Sequence, residues 1–338
     1  MVCTVRVIST QLDLQNSELI SKESMKDSII STVIIFVKEG WPDEIESEHS
    51  GISYKIHGME SFPVAGHISP SFYKNNLEYK VDPTDTILAS FPKCGTTWVQ
   101  FIMHLMHNNL VPPTKEELFW MRRRYYLEYY LGKEHAEKLK QPRHLKTHLS
   151  FELVPYNSKA KYIYITRNPF DCCVSMHRFI SGMKDYEFDL PFDQFFYRFL
   201  EASNMWGDYF KHVMSWYAHR NDENVLFLVY EQMIENPGEQ IIKIGQFLGG
   251  DCEKLVSDSE TVDVIKKLSK FDSMKEGDSI NFEKTHITKE NFSFFRKGKI
   301  GDYKNVLTDR QQELLSEKYK MWFKGTFLID IWRPYVPQ

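Results

Sequence analysis

Three short apolar runs, each followed by a turn and a helix-like pattern, constrain the fold of this chain more than any other feature. The runs span residues 85–91, 161–167 and 225–231. Each is bounded by polar or turn-forming residues, as expected of a buried strand. Because the strand–turn–helix unit recurs three times, the sequence predicts an α/β domain with a central parallel sheet flanked by helices.

Helical signals follow each run. Asn168 and Pro169 form a cap and first-turn pair after the second run. Asn236 and Pro237 open a helix after the third run, and Gly249 ends it. After the first run, apolar residues recur with the spacing of one helix face at Trp98, Ile102, Leu105 and Met106.

Composition excludes several classes of protein. The 338 residues are many for one domain and few for two large ones, and the net charge of -4 gives no general attraction to nucleic acid or acidic membranes. The 5 cysteines include an adjacent pair and form no C-x-x-C, which argues against a disulfide framework or a zinc site. We therefore expect a cytoplasmic protein that binds no metal, no nucleic acid and no membrane.

The first 45 residues are predicted to form a separate leader of unknown role, with partial disorder as one expectation. Their longest apolar stretch, residues 29–37, is too short to span a bilayer. Nothing in the remainder marks a second domain. Residues 46–338 are therefore predicted to fold as one domain.

The turn after the first run, residues 91–100 with the sequence FPKCGTTWVQ, has the composition of an anion-binding loop. Gly95 allows a sharp turn, and Thr96 and Thr97 open a helix whose unpaired N–H groups attract anions. Lys93 adds a full positive charge. A plain strand-to-helix turn with a surface lysine is the alternative. Because G-x-x-x-x-G-K-[ST] is absent from the chain, an ATP or GTP hydrolase and a nucleotide kinase are disfavoured.

The segment HLKTHL, residues 144–149, predicts a second part of the site. If it is extended, Lys146 and His148 point to the same side. A histidine beside a fixed cation tends to be neutral at pH 7, and a neutral imidazole can act as a general base. The alternative is a half-exposed strand with two solvated polar residues.

Two further basic features follow in the chain. Arg167 ends the second run and can form paired hydrogen bonds with a phosphate, although pairing with Asp171 is the alternative. Arg296 and Lys297 precede Gly298 in a basic loop that suits an anion, or else forms a solvated turn. In addition, the aromatic, arginine-rich stretch 117–132 either walls a pocket or forms a surface helix.

Together these pieces resemble the cytosolic sulfotransferase family. The matching stretches occur in the family's order: FPKCGTTWVQ, KTHL, RNPFDCCVS, VLFLVYE, FDSMK and FRKGKIGDYKN. The resemblance implies a single P-loop-like domain and 3′-phosphoadenosine 5′-phosphosulfate (PAPS) as co-substrate, without a metal. It also implies transfer of a sulfuryl group to a hydroxyl or amine of a small molecule. The 14% aromatic content suits a flat acceptor such as a phenol or catecholamine, or else fills an ordinary core.

The same resemblance implies residue roles. His148 would be the general base, Lys93 and Lys146 would neutralise developing charge, and Lys146 and His148 would also contact the acceptor. The donor would be bound at its 5′-phosphosulfate by Lys93, Cys94, Gly95, Thr96, Thr97 and Trp98, at its 3′-phosphate by Arg167, Ser175, Arg296, Lys297 and Gly298, and around its adenine by Tyr230, Ser269 and Phe271.

Three positions depart from the family pattern. Cys94 stands where the family often has Ser or Ala, and two interpretations are open. It is either neutral filler, tolerated because the position contributes its backbone N–H, or a thiol whose pKa is lowered by the helix N-terminus and Lys93 and which oxidises readily. Tyr303 replaces a tryptophan, which is expected to affect packing only. Asp309 replaces an apolar residue in the family's dimer signature, which predicts a monomer or a weak homodimer.

Two other functions remain open within this resemblance. One is a dehydratase that works through a transient sulfate ester. The other is a catalytically silent nucleotide-binding protein, which the presence of both Lys93 and His148 disfavours because a binder needs no base.

Overall fold

The computed structural model describes residues 53–56, 59–63, 78–114, 117–118, 126–128, 132–182, 190–202, 206–278, 289 and 298–337. The predicted leader lies outside the described residues, and its boundary at residue 45 stays a prediction. Arg296 and Lys297 of the predicted basic loop also lie outside them.

A four-stranded sheet forms the centre of the described domain, and all of its strands are parallel. The strand order is β4-β3-β5-β6. A separate antiparallel pair, β1 with β2, precedes it. The strands are β1 (Ser53–Ile56), β2 (Met59–Pro63), β3 (Thr86–Ala89), β4 (His144–Thr147), β5 (Lys161–Thr166) and β6 (Val225–Val229).

Helices connect and cover these strands. Among the described residues, none of them is long and apolar enough to cross a membrane. The helices are α1 (Thr96–His107), α2 (Gly132–Lys138), α3 (Pro169–Gly182), α4 (Phe192–Leu200), α5 (Tyr209–Ala218), α6 (Tyr230–Glu235), α7 (Pro237–Leu248), α8 (Gly250–Val256), α9 (Ser259–Leu268), α10 (Phe271–Asp278), α11 (Asp309–Phe323) and α12 (Phe327–Trp332).

The predicted α/β architecture is confirmed, with one correction at the third run. β6 ends at Val229, which pairs with Thr166 at the end of β5, and the helix α6 begins at Tyr230. Tyr230 and Glu231, predicted as the end of the strand, therefore open a helix instead. Their side chains thereby lie at the carboxyl end of the sheet.

Residues of β5 alternate between the two faces of the sheet. Ile163 and Ile165 pack with apolar side chains of α1 and α7, whereas Tyr162 and Tyr164 pack on the opposite face against Trp216 of α5. The Tyr164 and Trp216 rings stack with centroids 5.0 Å apart. Each large side chain buried in this way contributes about 1.5–3 kcal/mol. Burial on both faces fixes the register and so brings the carboxyl ends of the strands to one edge.

Candidate active site

The loop after β3 has a backbone that only a few residues tolerate. Lys93 has φ 72° although it is not glycine, and Gly95 has φ 111°. A Cβ at Gly95 would lie 2.8 Å from the Tyr230 ring and 3.1 Å from Ile165 Cδ1. Glycine is therefore required here both by conformation and by space. The loop brings its backbone close to Tyr230 and directs the N-terminus of α1 toward the sheet edge.

The threonines after Gly95 open α1 as predicted, but they differ in environment. Thr96 is buried, and its hydroxyl lies 2.6 Å from Ser90 Oγ. Thr97 is half-buried in the first turn of the helix. Ser90, at the end of β3, thus links the loop to the residues that follow β4.

Of the two interpretations of Cys94, burial favours neutral filler over a reactive, low-pKa thiol. Its side chain is fully buried, and its Sγ lies 3.8 Å from Cys172 Sγ and 4.0 Å from the carbonyl oxygen of Pro92. Burial raises the pKa of Cys94 well above its usual range, and the neighbouring Cys172 raises it further. The cost of burying a thiolate outweighs the effect of the helix N-terminus and the adjacent lysine.

His148 follows β4 and is fixed by both its ring and its main chain. Its Nδ1 lies 2.8 Å from the carbonyl oxygen of Ser90, so Nδ1 donates a hydrogen and Nε2 is left as the acceptor nitrogen. Its main-chain N–H donates to Glu128 Oε1 at 2.6 Å, and its carbonyl accepts from His212 Nε2 at 3.0 Å. These bonds determine both the tautomer and the position of the imidazole.

The environment of His148 favours the neutral ring. Burial lowers its pKa well below 6.5, and the positive charges of Lys146 and Lys93 lower it further. The sequence correctly indicated the like charge of Lys146. It did not indicate burial, which has the larger effect.

Lys146 and His148 lie on the same side of the chain, because the ring of Tyr126 contacts both. The Lys146 Nζ is 4.8 Å from the centroid of the Tyr126 ring, and the His148 ring meets that ring edge-to-face at 5.2 Å. The Lys93 Nζ lies 4.4 Å from the centroid of the Phe179 ring in α3. Both lysines therefore remain close to aromatic faces, which stabilise cations.

Arg167 lies at the carboxyl end of β5 and is buried. Its guanidinium carbon is 4.5 Å from the Tyr230 ring centroid, and Nη2 donates to the Lys299 carbonyl at 3.2 Å. Its Nε is buried and has no hydrogen-bond partner among the described residues. Burial alone would lower the pKa of Arg167, but the nearby Tyr230, Asp171 and Glu231 raise it overall, so the cation is retained.

The alternative interpretation of Arg167, pairing with Asp171, is seen in part: Asp171 Oδ2 lies 3.6 Å from Arg167 Nη2 but has closer partners. Phosphate binding by Arg167 stays a prediction. The Asp171 carboxylate accepts the main-chain N–H groups of Gly301 at 2.8 Å and Tyr303 at 3.1 Å. It thereby anchors the loop that carries Lys299. The Tyr303 side chain packs in the core against Phe170, as expected for a packing position.

A buried carboxylate, Glu231, supports the same region. Its Oε1 accepts from the main-chain N–H of Asn168 at 3.0 Å and from the Asn168 side chain at 2.7 Å. Its Oε2 accepts from Trp332 Nε1 at 2.8 Å. The turn after β5 is thus joined to α6 and to the C-terminal helix α12.

The residues assigned to the adenine region fall into two groups. Trp98 meets Tyr230 edge-to-face at 5.9 Å, and its Nε1 is buried without a hydrogen-bond partner among the described residues. Phe271 lies against Gly298, where an added Cβ would be 2.4 Å from the ring. The two serines with assigned donor-binding roles are Ser269, buried after α9, and Ser175, half-buried in α3.

The sequence did not identify five residues that hold the site together: Ser90, Glu128, Asn168, His212 and Glu231. Asn168 was recognised only as a helix cap, a role it also fills by accepting from the Asp171 N–H at 2.9 Å. Each of the others contacts a partner that is distant in sequence. A polar residue inside an otherwise apolar run, such as Ser90, is the one local signal available.

A family model described as "Sulfotransferase domain" matches residues 83–327, which include β3 and the strand ends described above. The chain belongs to the sulfotransferase family. It is a sulfotransferase with PAPS as its co-substrate, and the predicted family, reaction class and donor are confirmed.

Similar proteins agree with this assignment. The sulfotransferase is 36% identical over 253 residues to a 3-alpha-hydroxysteroid sulfotransferase of Cavia porcellus, covering 73% of this chain and 86% of that protein. It superposes on the mouse sulfotransferase SULT7A1 complexed with PAP with a TM-score of 0.68 and 26% identity, covering 82% of this chain and 97% of the mouse chain. A retinol dehydratase structure at 21% identity, with a TM-score of 0.66 over 91% of this chain and 96% of that one, shares the fold.

The donor assignments fit the residues of this sulfotransferase. The buried Arg167 Nε, at a strand end, has no hydrogen-bond partner within the part of the chain that the structure describes. The lack of a Cβ at Gly95 allows the loop backbone to lie close to Tyr230. An anion at Arg167 would satisfy that nitrogen. Among the described residues, no cluster of histidine, cysteine or carboxylate side chains could hold a metal ion.

Proposed function

We propose that this sulfotransferase transfers a sulfuryl group to a hydroxyl or amine of a small aromatic acceptor, such as a phenol or catecholamine, with His148 as the general base. The observation that carries the proposal is the hydrogen bond from His148 Nδ1 to the Ser90 carbonyl at 2.8 Å. Because Nδ1 holds the ring hydrogen, Nε2 has the lone pair that can take the acceptor's proton.

The state of His148 suits this role. A general base must be unprotonated before reaction, and burial together with Lys146 lowers the pKa of His148. The ring is therefore neutral at pH 7 and can form the imidazolium only when it receives a proton. The main-chain bonds to Glu128 and His212 keep it in place during that change.

Lys93 and Lys146 are proposed to stabilise the negative charge that develops on oxygen during transfer. The bound donor supplies the activated sulfuryl group. The Tyr126 ring contacts both Lys146 and His148, and the positive charges of Lys146 and Lys93 both lower the pKa of His148. Positioned charges of this kind typically accelerate a reaction by about 100- to 1,000-fold each.

The remaining donor contacts are proposed for the other strand ends. Cys94, Gly95, Thr96, Thr97 and Trp98 would provide the loop for the 5′-phosphosulfate end. The 3′-phosphate and the adenine would be bound by Arg167, Ser175, Gly298, Tyr230, Ser269 and Phe271, together with Arg296 and Lys297 from outside the described residues. The support for this division is the buried Nε of Arg167, which has no partner in the described ranges.

An aromatic acceptor is supported by Tyr126, whose half-buried ring contacts His148 at 5.2 Å and Lys146 at 4.8 Å. A flat ring next to the base would position a phenol or an aryl amine by stacking or edge contact. The name of the Cavia porcellus relative adds steroid alcohols as a second class for testing.

The test is a screen with PAPS carrying a labelled sulfuryl group. The acceptors are phenols, catecholamines, steroid alcohols and fatty alcohols, and products are analysed by mass spectrometry. We expect a stable labelled sulfate ester or sulfamate from a phenol or catecholamine, and loss of the label in His148→Ala. His135→Ala, a change in α2 outside the site, is the matched control.

Other outcomes of the screen contradict the proposal in distinct ways. Net loss of water without a stable sulfate ester would identify a dehydratase. Binding of PAP without any product from any acceptor would identify a silent nucleotide-binding protein. Full turnover in His148→Ala would leave the reaction class intact and refute the base assignment.

A monomer or weak homodimer in the cytosol completes the proposal. Asp309 is exposed at the start of α11, where Thr308 forms a capping box with Gln311. A charge at this position disfavours a small apolar interface. Sedimentation of the wild type and of Asp309→Val would test the first point, with a tighter dimer expected in the variant.

A further inference from the structure

Glu128 is a buried carboxyl group that contacts the main chain of the proposed base. Only 4% of its surface is exposed, and Oε1 accepts the N–H of His148 at 2.6 Å. Its Oε2 is also buried but has no hydrogen-bond partner among the described residues. A buried carboxyl group with one unsatisfied oxygen destabilises a fold, so it is a poor choice for a purely structural contact.

The segment Tyr126–Glu128 reaches the base by pairing beside β4. Tyr126 forms a parallel bridge with Lys146, and the Leu127 N–H donates to the Lys146 carbonyl at 2.9 Å. The Leu127 side chain is buried with the core residues beside the sheet. The segment is therefore held in register, which places the Glu128 carboxyl opposite the His148 N–H.

Three hydrogen bonds then fix His148 from three directions. Ser90 holds the ring, His212 holds the carbonyl oxygen, and Glu128 holds the N–H. Ser90 belongs to the sheet edge and His212 to α5. Glu128 supplies the contact from the side of Tyr126, whose ring lies against the imidazole. Losing this contact would free one side of the peptide that carries the base.

We propose that Glu128 is a positioning residue for the base, whose acceptor oxygen fixes the main chain of His148 so that Nε2 meets the acceptor. This inference rests on the proposed role of His148. It concerns the geometry of the base and not its charge, because the contact is made to the peptide N–H. A displacement of the base by about 1 Å can cost about 100-fold in rate.

The test compares two substitutions of nearly equal volume. Glu128→Gln keeps an oxygen that can accept the His148 N–H, whereas Glu128→Met fills the space without an acceptor. We expect kcat to fall about 10- to 100-fold in Glu128→Met and to stay within about threefold in Glu128→Gln, as expected for a rescued hydrogen bond. Calorimetry should show that both variants bind PAP as tightly as the wild type.

A second buried glutamate, Glu231, provides the matched control. Glu231 bonds to Asn168 and Trp332, so we expect Glu231→Gln to weaken PAP binding. Equal loss of kcat in Glu128→Gln and Glu128→Met would overturn the proposal, and so would an unchanged kcat in Glu128→Met. If Glu128→Met does not fold, Glu128→Asp replaces it as the test, because its side chain is one methylene shorter and moves the acceptor oxygen away from the His148 N–H. An unchanged kcat in Glu128→Asp would then be the contradicting result.

The failure of this inference is separable from failure of the proposed function. If His148→Ala retains turnover, the base assignment is wrong whatever Glu128 does. If His148→Ala is inactive and Glu128→Met is fully active, only the positioning role is wrong. NMR of the folded Glu128→Met protein adds a readout independent of turnover, because the His148 main-chain N–H resonance should move when its acceptor is lost and remain near its native position in Glu128→Gln.

Discussion

The site has two edges, one that we propose is catalytic and one that we propose binds the donor, and their charged groups are arranged in opposite ways. At the catalytic edge, defined by Ser90, Lys146 and His148, positive charge surrounds a neutral ring that is held by hydrogen bonds to main-chain groups and to Glu128. At the donor edge, defined by Arg167, Asp171 and Glu231, a permanent cation lies among carboxylates. The first arrangement favours the neutral form of a histidine, and the second retains a fixed positive charge, which we propose binds the donor.

The largest effect is expected from a substitution that disrupts the catalytic edge and leaves the donor edge intact. His148→Ala should lower turnover by about 100- to 10,000-fold, the usual contribution of a positioned base. It should leave PAP affinity nearly unchanged, because the carboxylates and Arg167 lie at the other edge. Steady-state kinetics and calorimetry on the same preparation measure the two quantities. A parallel loss of PAP affinity would show that the two edges are not separable.

The donor edge should show the reverse pattern. Arg167→Ala removes the buried cation and with it a charge-assisted hydrogen bond of about 1.5–3 kcal/mol, so PAP affinity should fall roughly 10- to 100-fold. Calorimetry measures this loss. The melting temperature should also fall, because Asp171 and Glu231 remain buried beside an empty position. An unchanged PAP affinity would mean that the 3′-phosphate site lies elsewhere.

A smaller effect is expected from a substitution at Asp171, which anchors the loop that carries Lys299 to the donor edge. Asp171→Asn puts an amide group where one oxygen accepts an N–H from Gly301 or Tyr303. Losing one such bond costs about 0.5–1.5 kcal/mol, so PAP affinity should fall roughly 2- to 10-fold. The kcat at saturating donor should change less than the affinity does. If instead kcat alone fell, Asp171 would belong with the catalytic edge.

Sequence alone brought Lys146 and His148 together but did not reveal the residues that hold His148 in place. Lys146 lies in β4 and His148 directly follows it, two positions along the chain, so the alternation of an extended segment alone placed them on one side. The partners of His148 are 58, 20 and 64 residues away, at Ser90, Glu128 and His212. Local periodicity contains no information about such distant contacts.

The donor edge shows the same limit. The sequence offered Asp171 as a nearby partner of Arg167, but its closer bonds reach residues 130 and 132 positions away. The reactive interpretation of Cys94 is disfavoured for a related reason. Charge and helix position can be read locally, whereas burial depends on the packing of α3 against the loop. Burial decided the pKa of the thiol and also dominated that of His148.

The smallest expected effect tests which factor keeps the base neutral. A histidine acts as a base only above its pKa, and the pKa of His148 is lowered, so activity should persist as the pH falls below 6.5 and disappear only when it passes the lowered pKa. Lys146→Met removes one like charge. The acid limb of the kcat/KM profile should therefore move to higher pH, whatever the height of the profile.

Burial remains in Lys146→Met, so the limb should not return fully to the position of an exposed histidine. Lys299→Met is the matched control, because Lys299 is exposed at the donor edge and does not contribute to lowering the pKa of His148. The acid limb of the Lys299→Met profile should lie at the same pH as that of the wild type. If the acid limb of the wild-type kcat/KM profile lay at the pH of an ordinary, exposed histidine, His148 would be solvated during turnover. The two edges would then differ in hydrogen bonding alone.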